Sequence, residues 1–243
     1  MNKFSRRNFL FSSSGAAVGT FLVPGLAAAG DDRDVPKSES GLVTGVPKPL
    51  RYSSIPGFLS AEQIAPHYKA HYGGALRGYL AADEKLQSSN ITGSAIDANA
   101  YGAIQRARAS KGNSVLLHEL YFDAMALKAN AAKLEVRAAL KKRFGTIEKW
   151  AADFQASAKA ASGWAVLAFH PLNGKLYNVV CDTHATGVLW MATPLLVVDV
   201  YEHAYYVDYK NKKADYIEKF MSHIAWEVVN QRYKAASKVI ALV

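Results

Sequence analysis

Residues 193–213 read T-P-L-L-V-V-D-V-Y-E-H-A-Y-Y-V-D-Y-K-N-K-K, and this stretch decides how the second half of the chain folds. Residues 195–198 form an unbroken aliphatic run of the kind that makes a fully buried strand. The run ends on Asp199, a carboxylate that is costly to bury unless it is paired or bound to a cation. His203 follows four residues later, and Tyr205, Tyr206 and Tyr209 cluster behind it. An Asp and a His so spaced at the mouth of a strand can reach one small cation together. The same residues also suit an Asp that caps the following turn beside a packed His203, and spacing alone leaves both readings open.

Two more strand-like runs lie just upstream. Residues 161–169, A-S-G-W-A-V-L-A-F, alternate in strand fashion, and residues 175–181, K-L-Y-N-V-V-C, form the second run. Between them H-P-L-N-G turns the chain, with Asn173-Gly174 as the hairpin signal. Residues 129–162 read as helix, with Lys133, Arg137, Lys141, Lys142 and Arg143 on a solvated face. Thr146 restarts that helix as a cap after Gly145. An amphipathic helix covers 215–229. Three strands with helices before and after predict an α+β lobe built on an antiparallel sheet.

The first half reads as helices. Ser60 is a candidate N-cap with Gln63 three residues on, and Pro66 is expected to kink the helix just before His67. His67 and His71 are four apart and share a helical face, as a metal pair or as ordinary core and surface histidines. After a polar loop over 87–99, residues 113–128 have apolar residues at helical spacing, with His118 on the apolar side beside Leu117 and Tyr121. Taken alone, His118 reads as a satisfied core histidine.

The chain has 243 residues, half of them hydrophobic, enough for one sizeable core or two lobes sharing one. Its first residues hold Lys3, Arg6 and Arg7, a weakly apolar run to Leu26 and a small-residue cleavage pattern at Ala27 to Ala29. Ser5-Arg6-Arg7-Asn8-Phe9-Leu10 matches the twin-arginine export pattern. The run contains Ser, Gly and Pro24 and is too short and polar for stable membrane insertion. Export to the periplasm or beyond, with residues 1–29 removed, is therefore expected. Cleavage takes three cations and no acid, lowering the formal charge from +9 to +6. That excess suits a small anionic substrate, and no dense basic block interleaved with aromatics points to nucleic acid. Cys181 is the only cysteine, so no intramolecular disulfide can form.

The segment D-V-Y-E-H-A-Y-Y at 199–206 resembles the D-V-W-E-H-A-Y-Y signature of the iron/manganese superoxide dismutases, with Tyr201 in place of Trp. Three further stretches are similar to that family. H-Y-K-A-H-Y at 67–72 resembles its first helix, N-S-V-L-L-H-E-L-Y-F at 113–122 its second, and A-S-G-W-A-V-L its G-S-G-W-x-W-L. The resemblance implies that His67, His118, Asp199 and His203 ligate one iron or manganese ion per subunit. It implies that Trp164 walls the pocket and that His184 stands where a side chain hydrogen-bonds the metal-bound solvent. Read without it, His184 is an exposed turn histidine. The resemblance also makes Glu202, Tyr206 and His71 interface residues of a homodimer or tetramer, with His71 and Tyr206 near the chemistry. Ala75 replaces the family's gateway Tyr, Leu117 an Asn and Val166 a Trp; Tyr79 or Tyr72 is expected to supply the missing phenol.

Together these readings give an export signal over 1–29, a flexible linker over 30–48, a helical hairpin domain over 49–130 and an α/β metal-binding domain over 131–243. The activity so implied is conversion of superoxide to oxygen and hydrogen peroxide. The alternative is a metal-binding dimer of the same fold without turnover. A ferritin-like di-iron protein would need paired E-x-x-H motifs, and none occurs.

Overall fold

In the computed structural model, residues 38–88, 97–129, 134–187 and 189–239 are described. The twin-arginine pattern, the cleavage pattern and the linker up to residue 37 lie outside them.

The expected flexible lead-in differs from its described part. Ser40 caps a short helix α1 (Gly41–Thr44) by accepting the Leu42 N–H. Gly41 packs so closely on Leu76 and Tyr72 that a Cβ would lie 3.0 Å from the Leu76 side chain. The Gly41 N–H donates to the Glu119 carboxylate at 2.8 Å. A composition rich in Gly and charge gives no sign of such a tie, because its acceptor lies 78 residues away.

Helix α2 (Ala61–Pro66) starts as expected, with Ser60 Oγ accepting the Gln63 N–H. Pro66 is the last residue of α2, in helical conformation at φ −67 and ψ −36. The chain continues into a π-helical turn, His67–Tyr72, and then into α3 (Gly73–Ser88). The widened turn has a direct consequence for the two histidines. His67 is fully buried, whereas His71 stays exposed on the rim. Helix α4 (Ala98–Asp123), capped by Asp97, packs along α3. Its buried residues Ser114, Val115, His118, Glu119 and Phe122 recur at helical spacing, which puts His118 on the inward face.

The helical stretch expected over 129–162, with its restart at Thr146, forms two helices, α5 (Glu135–Phe144) and α6 (Ile147–Ala160). Gly145 breaks it at φ +90, a backbone angle open to glycine, and Thr146 caps α6 by accepting the Lys149 N–H. The sheet follows as β1 (Trp164–His170), β2 (Lys175–Cys181) and β3 (Thr193–Asp199), all antiparallel in the order β2-β1-β3. An α+β fold with a three-stranded antiparallel sheet is therefore what the chain adopts. Register matters here: Trp164, first residue of the central strand, lies opposite Cys181 on one side and Asp199 on the other. A 3₁₀ turn (Glu202–Ala204) and helices α7 (Tyr206–Tyr209), α8 (Lys213–Met221) and α9 (Trp226–Ser237) complete the chain.

One hydrophobic cluster runs through both halves, joining Tyr72, Leu76, Val115 and Tyr121 of the helices to Trp164, Leu167 and Val197 of the sheet. Among the described residues, no helix is long and apolar enough to cross a membrane.

Candidate metal centre

Four side chains from four separate elements converge where the helical half meets the end of the sheet. His67 comes from the π-helical turn, His118 from α4, Asp199 from the end of β3 and His203 from the 3₁₀ turn; their nearest donor atoms all lie within 4.8 Å of one another. Asp199 Oδ2 is the hub, 3.1 Å from His67 Nε2, 3.2 Å from His203 Nε2 and 3.7 Å from His118 Nε2. Asp199, His67 and His118 are buried, and His203 is partly so.

The surrounding hydrogen bonds fix how each ring presents itself. His118 Nδ1 donates to the Ser114 carbonyl at 2.7 Å, which leaves the lone pair of Nε2 pointing at the cluster. That Nε2 is buried and has no hydrogen-bond partner. Asp199 Oδ1 accepts the Tyr201 N–H at 3.0 Å, and the Asp199 carbonyl accepts from Tyr216 Oη at 2.8 Å. Because Tyr216 gives its proton to Asp199, the Tyr121 hydroxyl donates to Tyr216 across 2.9 Å. Gln63 pins the segment bearing His203: its amide donates to the His203 carbonyl at 2.7 Å and accepts the Val207 N–H at 2.9 Å.

Charge follows from burial. Burial lowers the His67 pKa, and burial with the neighbouring His67 pushes that of His118 down to about 3, so both rings are neutral at pH 7. Burial alone would raise the Asp199 pKa, but the hydrogen bonds from His203 and His67 outweigh it and hold the group below the usual carboxylate range. The cluster thus offers three imidazoles and one carboxylate, a nitrogen/oxygen set without thiolate that suits iron or manganese. The unpartnered His118 Nε2 facing a carboxylate is what such an ion would satisfy.

Around the four lie the other residues expected at the site. Trp164 meets the His118 ring edge-on at 5.1 Å between centroids. Its indole N–H donates to His184 Nδ1 at 3.0 Å. An indole can only donate, so His184 carries its own proton on Nε2. Burial lowers the His184 pKa and keeps it in that neutral form. His71 stacks face to face on His203, with 3.8 Å between centroids and 13° between planes, and does not join the ligand cluster. Burial and the adjacent His203 bring its pKa down to about 4. Glu202 and Tyr206 point outward and are exposed.

The phenol expected from Tyr72 or Tyr79 is placed otherwise. The Tyr72 hydroxyl donates to Glu119 at 2.8 Å and accepts the Lys48 N–H at 2.7 Å, and the Tyr79 ring packs against Gly112 of α4. Tyr201 stacks on the ligand His203 at 5.2 Å and 14°, and the rings of Tyr121 and Tyr72 lie 5.4 Å from His67 and 6.2 Å from His118. Sequence reasoning missed Glu119 altogether. It gathers Gly41, Tyr72 and α4 directly beside His118, and its only signal was a charge on the buried face of an amphipathic helix.

Comparison with known proteins agrees with this geometry. The family model "Iron/manganese superoxide dismutases, C-terminal domain" matches residues 132–232. An iron superoxide dismutase of Aquifex aeolicus is 37% identical over 187 residues, covering 74% of this chain and 86% of that protein. A manganese superoxide dismutase of Halobacterium salinarum is 32% identical over 197 residues, covering 79% and 95% respectively. An iron superoxide dismutase of Cupriavidus metallidurans is 34% identical over 183 residues, covering 73% and 90%. With a buried three-histidine, one-aspartate cluster on an α+β frame, and relatives matched over most of their length, the chain belongs to the iron/manganese superoxide dismutase family.

Proposed function

We propose that this protein is a superoxide dismutase holding one iron or manganese ion per subunit between His67, His118, Asp199 and His203. The observation that carries the reading is the buried, unpartnered His118 Nε2 turned toward Asp199 beside two further imidazole nitrogens. A bound ion supplies the one-electron exchange by which two superoxide anions and two protons become oxygen and hydrogen peroxide. The chain's own residues set the conditions for it. Ser114 orients His118, and Gln63 and Tyr216 fix the backbone that carries His203 and Asp199. Trp164 holds His184 as a neutral Nε2–H donor beside the ligands, so His184 is the group that hydrogen-bonds solvent there. The net positive charge draws the anionic substrate by the summed field, an effect that salt weakens.

The donor set suits either metal, and the relatives include proteins named for each. Exposed Glu202, Tyr206 and Val207, next to the stacked His71–His203 pair, support a homodimer through this face. We also propose export through the twin-arginine pathway; an N-terminus at Gly30 in protein recovered from the periplasm would support it, and recovery of uncleaved chain from the cytoplasm alone would refute it. The second reading, a metal-binding dimer without turnover, is favoured by one observation: the Tyr72 hydroxyl is committed to Glu119 and Lys48, away from the ligands. Metal content and superoxide-dismutation rate of the mature protein, reconstituted separately with iron and with manganese, decide between the two. Fast turnover with one metal supports the enzyme. Stoichiometric metal with negligible turnover under both leaves the binding dimer.

A further inference from the structure

A cleft of about 670 Å³ opens between α5, α9 and the start of β2, and no side chain of the metal centre lines it. Its size falls within the roughly 300–1,000 Å³ of small-molecule sites. Ala138 and Ala139 of α5, Leu176 of β2 and Tyr233 of α9 give it an apolar side. Lys142 and Arg143 in the last turn of α5, with Lys175 at the start of β2, give it a cationic one.

The charges do not cancel within the cleft. Glu135 is its one carboxylate, and Lys234 Nζ takes that group at 2.9 Å. Among the described residues, Lys142, Arg143 and Lys175 form no ion pair. The C-terminal end of a helix favours cations, which accounts for Lys142 and Arg143, and equally for Lys141 outside the cleft. It does not account for Lys175, which the β1–β2 hairpin brings to the same place. Like charges gathered in one concavity repel each other, and such a cleft concentrates ions of the opposite sign.

Arg143 is also held in position. Its Nε donates to the Leu176 carbonyl at 3.1 Å on the edge strand β2. Its guanidinium lies 5.6 Å from the ring centroids of both Phe144 and Tyr177. A guanidinium so fixed can bind phosphate through two parallel N–H bonds, to which lysines add point charges.

We propose that this cleft binds a small phosphate-bearing organic molecule, its phosphate among Lys142, Arg143 and Lys175 and its organic part against Tyr233 and Ala139. Three uncompensated cations call for more than one negative charge in one place. A phosphomonoester dianion supplies that on a single tetrahedral group, whereas each carboxylate brings one charge. The bounded cleft, in place of a track of charge along the surface, suits a small molecule better than a polymer. The site shares no residue with the metal centre, so binding does not depend on turnover.

The test is calorimetry on the metal-loaded mature protein at low salt, with phenyl phosphate as the probe. Phthalate, a dicarboxylate dianion of similar size, is titrated alongside. Wild type is compared with Lys142→Ala, Lys175→Ala, Arg143→Lys and Lys141→Ala. All four sites are exposed, and an unchanged circular dichroism spectrum confirms that each variant folds. One phenyl phosphate per chain is expected, bound about ten-fold tighter than phthalate. Lys142→Ala and Lys175→Ala should each weaken it about ten-fold, and Arg143→Lys should do so although it keeps its charge. Lys141→Ala, the same loss of charge outside the cleft, should change affinity by less than about two-fold. No binding at millimolar phenyl phosphate would overturn the proposal. Binding that Lys142→Ala and Lys175→Ala leave intact would place the anion elsewhere, the metal centre included, and would overturn it too. Equal weakening by Lys141→Ala would reduce the site to diffuse surface charge, and equal affinity for phthalate would remove the phosphate; either result sinks the proposal.

Discussion

His118 Nε2 and Asp199 Oδ2 face each other across 3.7 Å with no proton to join them, because the His118 proton is given to the Ser114 carbonyl from the opposite side of the ring. A lone pair aimed at a carboxylate costs free energy until a cation lies between them. The arrangement makes the metal-free protein sensitive to acid. Folded His118 stays neutral down to about 3, whereas in the unfolded chain it takes a proton near its ordinary value of 6.5. Between those values the unfolded state binds more protons, so stability falls as pH falls through the window, by about 1.4 kcal/mol per pH unit per group. His67, also lowered by burial, acts in the same direction. Urea midpoints of the metal-free protein from pH 7 to 4 should drop steeply, and His118→Leu should flatten the slope. Equal slopes in the two proteins would show that His118 is not the acid-sensitive group.

Trp164 sets the tautomer of His184. Trp164→Phe removes the only proton donated to His184 Nδ1, so that nitrogen becomes free to take one. The His184 pKa should rise toward the ordinary value, and nitrogen NMR should show both tautomers in place of Nε2–H alone. If His184 acts on solvent at the metal, turnover should fall roughly ten- to a hundred-fold with the metal retained. A single unchanged tautomer in Trp164→Phe would mean that the indole does not set it.

How much of this was legible in the sequence depends on the range of the interaction. Strand β3 ending on Asp199, the Asn173-Gly174 hairpin and the caps at Ser60 and Thr146 are local patterns, and each appears in the structure where its residues announce it. The four converging side chains were named from short motifs, yet nothing local says that residues 67, 118, 199 and 203 meet. That follows from packing α4 onto β3 and the π-helical turn against α4 and the 3₁₀ turn. The misses share one cause. Glu119 holding the Gly41 N–H and the Tyr72 hydroxyl is a tertiary contact, and no composition or periodicity encodes it. The π-helical turn after Pro66 was likewise invisible, since proline signals a disturbed helix without saying which form the disturbance takes.

Tyr72 is a stabilising residue, and Tyr72→Phe separates that role from catalysis. The change leaves the Lys48 N–H without its acceptor and deprives the buried Glu119 carboxylate of one donor. Denaturant unfolding should show a loss of about 1–3 kcal/mol. Metal content and dismutation rate of the folded, loaded protein should stay near wild type. A clear fall in turnover at unchanged stability would instead restore Tyr72 as the missing phenol.

Gly163 is where the sheet, the β2–β3 loop and the Tyr201 ring come together. A Cβ there would lie 2.9 Å from the Cys181 carbonyl oxygen, 3.0 Å from that of Asp182 and 3.1 Å from the Tyr201 ring. Two of those neighbours are backbone, and the Gly163 carbonyl itself accepts the Val200 N–H at 2.8 Å, so the strand cannot simply retreat. Gly163→Ala should cost about 1–3 kcal/mol of stability by overpacking. It should also weaken metal binding, because displacing Tyr201 disturbs the ring stacked on His203. Tyr201→Ala removes one of the three close contacts and leaves the two carbonyls. In the double variant only part of the lost stability should return, and the coupling energy from the four proteins measures that part. Full recovery would locate the whole strain in the Tyr201 ring. No coupling would place it in the backbone of β2 and leave Tyr201 out of the account.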